Sequence, residues 1–166
     1  MSAVASITPT KRNSLLRSIA LGGIFIFISQ LVIQSWLVAS VIQQNPFLSV
    51  LQYMASGATG VSAFEGGTGT ALLGVFFHLI VSFVVAAVFI LSAGSVPLLR
   101  RYAIPASLLY GVGVYIVMNF IVLPLSAAPP LPTPTVPYFI EAVIEHAVLV
   151  GLPLGLLVRR SVSPNP

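Results

Sequence analysis

The fold of this chain is decided by an uncharged, apolar stretch, GTALLGVFFHLIVSFVVAAVFILSA (residues 69–93). At a rise of about 1.5 Å per residue, a helix of this length covers about 37 Å, more than the about 30 Å hydrocarbon core of a bilayer. His78 is the only residue in it with an ionisable side chain. The stretch is therefore predicted to be a transmembrane helix.

Three further apolar runs flank this stretch. They extend from about Leu15 to Ile42, from about Pro105 to Leu125, and from about Pro137 to Val158. The whole chain is 57% hydrophobic and 6% charged, whereas about 25% of the residues of an ordinary soluble domain are charged. This composition excludes a soluble domain. It predicts an all-α, polytopic membrane protein, with residues 1–166 forming one bundle of four transmembrane helices.

The basic residues are distributed unevenly among the loops. All seven lie before or at the start of the first run, between the second and third, or after the fourth: Lys11, Arg12, Arg17, Arg100, Arg101, Arg159 and Arg160. Since loops rich in Lys and Arg remain in the cytoplasm, both termini are predicted to be cytoplasmic. A cleaved signal peptide is the alternative for the first run, but this run is about twice as long as a signal h-region. The positive charge favours contact with the lipid bilayer and its anionic head groups, and no nucleic-acid partner is expected.

The two loops on the opposite side have different patterns. In the first, apolar residues (Phe47, Val50, Leu51, Met54, Ala58) recur at helical spacing, and polar residues (Ser49, Gln52, Tyr53, Ser56) fill the other side. This pattern predicts a short helix lying in the membrane interface between the first two spans. The second loop, APPLPTPTVP (residues 128–137), is too rich in proline for a helix and is predicted to be a stiff, extended cap.

Polar side chains within the spans are predicted to form one layer in the outer half of the bilayer. The layer comprises Gln30 and Gln34 of the first span, His78 of the second, Asn119 of the third, and Glu141, Glu145 and His146 of the fourth. Counted from the outer helix ends, these side chains lie within about 7–18 Å, and both histidines lie at about 13 Å. Because polar groups in a span are costly unless they face protein or water, this layer is the candidate site.

Stripes of small residues accompany the polar ones. The second span repeats Gly67, Ala71, Gly74, His78, Ser82 and Ala86 at intervals of three or four, and the third repeats Ser107, Gly111, Tyr115 and Asn119 at intervals of four. Small residues let helix backbones approach closely, so these two faces are expected to meet inside the bundle. Pro153, between Gly151 and Gly155, is expected to kink the fourth span just below the polar layer.

Four interpretations of the polar layer remain open. Hydrogen bonds among its side chains can fix the register of the four helices, or a glutamate beside a histidine can relay protons or ions. His78 and His146 can instead ligate haem b, or a metal ion together with Glu145 and Glu141, provided that the two imidazoles face each other. A hydrolytic site is the weakest interpretation, because no HExxH motif occurs. The absence of cysteine excludes disulfides, thiolate metal sites, iron–sulfur clusters and c-type haem.

A glycine-rich segment, AFEGGTGT (residues 63–70), precedes the second span. It lacks the Gly-Lys-Ser/Thr ending of a phosphate-binding loop and follows no strand, so it is not predicted to bind a nucleotide. The glycines permit a tight entry into the helix, and Glu65 lies near the positive end of that helix, where a carboxylate is favoured. Glu65 is also a candidate residue at the mouth of a path to the polar layer.

Three features of the later spans resemble a known family. They are a histidine followed by a serine and small residues (His78 to Ala87), a Leu-Pro-Leu before a Pro-Pro loop (Leu123 to Pro130), and a fourth span with Glu141, His146 and a closing pair, Arg159 and Arg160. In these features the chain, from about Gly69 to Arg160, is similar to the YagU-like family of small bacterial inner-membrane proteins. The resemblance implies a bacterial inner membrane and an association with acid tolerance, and it makes His78, Glu145 and His146 the residues to test. It implies no reaction.

The expected function follows from these observations. The chain is predicted to be a non-enzymatic component of the bacterial inner membrane, acting as a homo-oligomer or as a subunit of a larger membrane complex. A proton-linked small transporter or channel is the first alternative. A membrane protein that binds haem b or a metal ion is the second.

Overall fold

The computed structural model describes residues 9–39, 46–131 and 135–162, and every regular element in these ranges is helical. The α-helices are α1 (Pro9–Ala39), α2 (Pro46–Thr59), α3 (Gly67–Ser95), α4 (Pro97–Arg101), α5 (Ala103–Val117), α6 (Leu123–Leu125), α7 (Val136–His146) and α8 (Leu152–Val162). A 3-10 turn, Gly60–Glu65, connects α2 to α3. Two π-helical segments, Met118–Val122 and Ala147–Gly151, connect α5 to α6 and α7 to α8.

Four helical stretches are long and apolar enough to cross a membrane. They are Arg12–Trp36, Gly67–Ser95, Ala103–Leu125 and Val136–Ser161, named here the first to fourth spans. The all-α fold class with four transmembrane helices is therefore confirmed, and the chain is a multi-pass membrane protein. The predicted end of the first run at Ile42 lies outside the described residues.

The spans associate as two close pairs, the first with the second and the third with the fourth. Gly22 joins the pairs, because a methyl group added to it would contact Leu154 of the fourth span and Ala86 of the second. Around this point an apolar core fills the half of the bundle that carries the basic residues; it contains Leu15, Ile26, Ala86, Phe89, Ile90, Ala93, Ala103, Val150, Leu154 and Val158.

The short helix between the first two spans is confirmed as α2, but its polar side faces the protein rather than water. Gln52 and Ser56 are buried, and Gln52 Nε2 donates to the carbonyl of Gly67 at 3.2 Å. From the apolar side, Val50 and Leu51 are buried as well, whereas Phe47 is half exposed. Residues of both sides of α2 therefore pack against the protein.

The segment after the third span closes against α2. Ala127 N donates to the carbonyl of Gly57 at 3.0 Å, and the Tyr53 hydroxyl donates to the carbonyl of Pro129 at 3.3 Å. Burial raises the pKa of Tyr53, so its hydroxyl keeps the proton that it donates. Residues 126–131 are not helical, as the prolines predict, whereas residues 132–134 of the predicted cap lie outside the described residues.

The expectation that the second and third spans meet through their small-residue stripes is wrong. The third span turns its stripe toward the fourth, since a methyl group on Gly111 would overlap the carbonyl oxygen of His146. The second span turns its stripe toward α2 at Gly74, where a methyl group would overlap the carbonyl oxygen of Leu51, and toward the first span at His78 and Ala86. Gly74 and Gly111 thus pack against the backbones of different helices. The second and third spans touch at Tyr110, whose hydroxyl donates to the carbonyl of Val85 at 2.9 Å.

Candidate functional site

Three polar side chains from the first and fourth spans form the centre of the site; Gln30, Glu145 and His146 are named here the polar network. Gln30 Nε2 donates to Glu145 Oε1 at 2.6 Å. The other carboxylate oxygen, Oε2, lies 2.8 Å from His146 Nδ1, and both side chains of this pair are about nine-tenths buried. An Nδ1–H of His146 can therefore donate both to Glu145 and to the carbonyl of Ala142, which is 2.9 Å away. Each carboxylate oxygen thus has a protein partner.

The imidazole of His146 packs against an aromatic ring of the third span. The rings of His146 and Tyr115 meet edge to face with centroids 5.1 Å apart, and Tyr115 meets Phe139 in the same manner at 5.7 Å. Gly111, one turn before Tyr115, lets the backbone of the third span approach the carbonyl of His146. Glu145 and His146 therefore meet different neighbours: Glu145 meets the first span and His146 the third.

The regular α-helix of the fourth span is interrupted directly after His146. The π-helical segment Ala147–Gly151 begins at the residue after His146 and ends two residues before Pro153. Proline has no N–H and its ring collides with the carbonyl four residues earlier, so a helix must adjust in the preceding turn. In the third span, the π-helical segment Met118–Val122 likewise ends two residues before a proline, Pro124. The expected disturbance at Pro153 is thus present as a π-helical turn.

His78 lies at a separate interface, between the second and first spans. Its Nε2 is 3.1 Å from the carbonyl oxygen of Phe27, and its ring packs against the Phe27 ring with centroids 5.1 Å apart. The first span therefore meets His78 through Phe27 and Glu145 through Gln30, one turn further along. The two histidines contact different neighbours, so the described residues do not provide the facing pair that haem b or a mixed metal site requires. Within the same residues, no three His, Asp or Glu side chains are grouped to hold a metal ion.

The other candidates lie outside the polar network. Asn119 Nδ2 donates to the carbonyl of Tyr115 in its own helix at 2.9 Å. Gln34 is half buried, one turn beyond Gln30. Glu65 is exposed at the end of the 3-10 turn, beside the start of α3 as predicted. Depth in the span did not identify Gln30, since counting residues puts it about 18 Å from the outer end and Gln34 about 12 Å, level with Glu145. The role of Tyr115 had no signal beyond its position in the small-residue stripe.

An open groove runs along α7 next to the polar network. It has a volume of about 730 Å³ and is named here the α7 groove. Its lining consists of Ile33 from the first span and Val136, Pro137, Tyr138, Ile140, Glu141, Ala142, Ile144, Glu145, Val148 and Leu149 from the fourth. Glu141 is exposed in it. Glu145 belongs to both the groove and the polar network, so this carboxylate lies between the bundle interior and its lipid-facing surface.

Known proteins provide no further identification of the site. Comparison of the chain with protein-family profiles, with curated proteins and with solved structures finds no match.

Proposed function

We propose that this protein is a non-enzymatic membrane component whose polar network fixes the first span against the fourth. The observation that carries the proposal is that both oxygens of Glu145 have protein partners, Gln30 on one side and His146 on the other. A buried carboxylate stabilises a fold when its hydrogen-bonding capacity is met inside the protein and costs stability when it is not. In lipid, such a network also opposes sliding of one apolar helix along another.

The role of the network is tested by two matched glutamine substitutions. Gln30→Leu removes the donor to Glu145 and is expected to lower the free energy of unfolding by about 1–2 kcal/mol. Gln34→Leu changes the same residue type one turn away in the same helix and is expected to have little effect. The measurement is denaturation in mild detergent, followed by circular dichroism. Equal stability of the two variants would show that the network does not hold the spans together.

A second candidate is a proton-linked small transporter or channel. The observation that favours it is the position of Glu145, which lines the α7 groove and is also 2.8 Å from His146. A carboxylate in contact with an imidazole can exchange a proton with it, and a carboxylate inside a span is a common element of proton pathways. The test is pH-dependent flux into reconstituted vesicles. Loss of flux in Glu145→Gln supports transport, and no flux in the wild type rejects it.

The location and family of the protein are part of the same proposal. We place it in a bacterial inner membrane with both termini in the cytoplasm, because all seven basic residues lie at one end of the bundle. The motifs around His78 and His146 support membership of the YagU-like family. A partner is proposed to be a second copy or a subunit of a larger membrane complex, and chemical crosslinking in native membranes followed by electrophoresis tests this.

Binding of haem b or a metal ion is retained only as the least supported alternative, since His78 and His146 have separate contacts. An absorption spectrum and elemental analysis of the detergent-purified protein decide it. A Soret band or one equivalent of metal per chain would require the histidines to rearrange.

A further inference from the structure

The α7 groove has the length and the surface of a site for one hydrocarbon chain. From Val136 to Leu149 the helix rises about 20 Å, comparable with the about 15 Å hydrocarbon thickness of one leaflet. Ile140, Ile144 and Val148, which line it, are between 44% and 57% exposed, so the groove opens sideways to the bilayer. A molecule can therefore enter from the lipid phase without passing through the bundle.

The polar groups of the groove form one stripe. Tyr138, Glu141 and Glu145 follow at intervals of three and four, which places them on one face of α7. Both oxygens of Glu145 are occupied by the polar network. Glu141 is exposed and makes no hydrogen bond or ion pair with the described side chains. The groove therefore presents one carboxylate with free acceptor capacity and, one turn away on the same helix face, a tyrosine.

The charge of this carboxylate has no counterpart at its own end of the bundle. All Lys and Arg residues of the chain lie near the start of the first span, between the second and third, or at the end of the fourth, which is the opposite end. A carboxylate near low-dielectric surroundings attracts a cation more strongly than one in water. An alkylammonium group can satisfy both partners at once, through an ion pair with a carboxylate and a cation–π contact with a tyrosine ring.

We propose that the α7 groove binds an amphiphile with a cationic head group and a single alkyl chain. The ammonium lies against Glu141 and Tyr138, and the chain lies along Ile33, Ile144 and Val148. A zwitterionic phospholipid fits less well, because its phosphate would lie beside two carboxylates with no basic side chain to receive it. This site is independent of the structural role proposed for the polar network, since Glu141 is not part of that network.

The sole tryptophan of the chain provides a direct assay. Trp36 follows Ile33 by one turn of α1 and is 63% exposed, so it lies beside the groove wall. An alkyltrimethylammonium with a brominated chain, added to the purified protein in maltoside micelles, is expected to quench Trp36 fluorescence with saturation. An alkyl sulfate with the same brominated chain measures simple partition into the micelle and is expected to quench without saturation.

Two substitutions separate the head-group contact from hydrophobic adsorption. Glu141→Gln is expected to weaken the alkylammonium affinity about fivefold, whereas Glu65→Gln, which alters an exposed glutamate outside the groove, leaves it unchanged. Ile144→Phe narrows the groove without changing its charge and is expected to weaken binding as well. Equal quenching by the cationic and anionic probes, or unchanged affinity in Glu141→Gln, would overturn the proposal and leave the groove as a surface for ordinary lipid or a protein partner.

Discussion

The contact between the third and fourth spans predicts opposite effects for two alanine substitutions that are two residues apart. In Gly111→Ala the new methyl group would overlap the carbonyl oxygen of His146 and lie 3.0 Å from both Ala147 Cα and Gly151 N. Nonbonded carbon atoms prefer about 3.5–4.0 Å, and these neighbours are backbone atoms that cannot rotate away, so the spans must separate. In Gly113→Ala the methyl group meets nothing within 4 Å.

The expected magnitudes follow from these contacts. Alanine favours a helix over glycine by about 1 kcal/mol, and this is the whole expected effect in Gly113→Ala. In Gly111→Ala an overpacking cost of about 1–3 kcal/mol opposes that gain, so its net effect ranges from neutral to destabilising. The assay is unfolding of both variants in mixed micelles, followed by circular dichroism. If Gly111→Ala is as stable as Gly113→Ala, the close approach of the two spans at His146 is refuted.

Three further predictions concern α2 and the ends of the bundle. Gly74→Ala is expected to destabilise the protein by about 1–3 kcal/mol, because the new methyl group overlaps the α2 backbone. In the control, Gly69→Ala of the same helix, the methyl group meets no atom within 4 Å. Equal melting temperatures of the two variants would contradict the packing of α2 against the second span. Tyr53→Phe is expected to cost about 0.5–1.5 kcal/mol below pH 10. Since burial raises the pKa of Tyr53, its protonated hydroxyl stabilises the fold below the unfolded value, and this advantage should disappear from denaturation curves as the pH rises through the folded value. Because the chain has no cysteine, Ser62→Cys and Ser95→Cys can each be labelled with an impermeant maleimide. The proposed topology predicts that Ser62→Cys is labelled in intact cells. Labelling of Ser95→Cys instead would reverse that topology.

The helices of this protein could be predicted from the sequence because their signals are local. Each span is an apolar run longer than the hydrocarbon core, and all four runs lie within long helices apart from the undescribed end of the first. The pairing of the spans was not predictable in the same way. Gly74 and Gly111 both mark close contacts, but a small residue does not specify its partner, and any backbone of suitable shape can occupy the space.

In the candidate site, too, the position of a residue along its own helix was predictable, whereas its contacts with other helices were not. Depth along a helix identified Glu145 and His146 as a group, since depth depends only on counting residues. It favoured Gln34, at about 12 Å, over Gln30, at about 18 Å, as their partner from the first span. The structure selects Gln30, because that choice depends on how the first span is rotated against the fourth. Depth also placed His78 with His146, although the first span contacts the two histidines through different residues.

The π-helical turn explains why a regular helical wheel misplaces the residues around His146. At about 100° per residue, Gly151 would lie about 140° around the helix from His146, and the two could not face the same neighbour. In a π turn the backbone bonds run from residue i to i+5, so residues five apart lie closer to the same face than they do in an α-helix. A methyl group on Gly111 would accordingly meet His146, Ala147 and Gly151 together. The turn before Pro153 thus lets the fourth span present both its polar network and its glycines to the neighbouring helices, and the proline that disturbs the helix is part of what aligns the site.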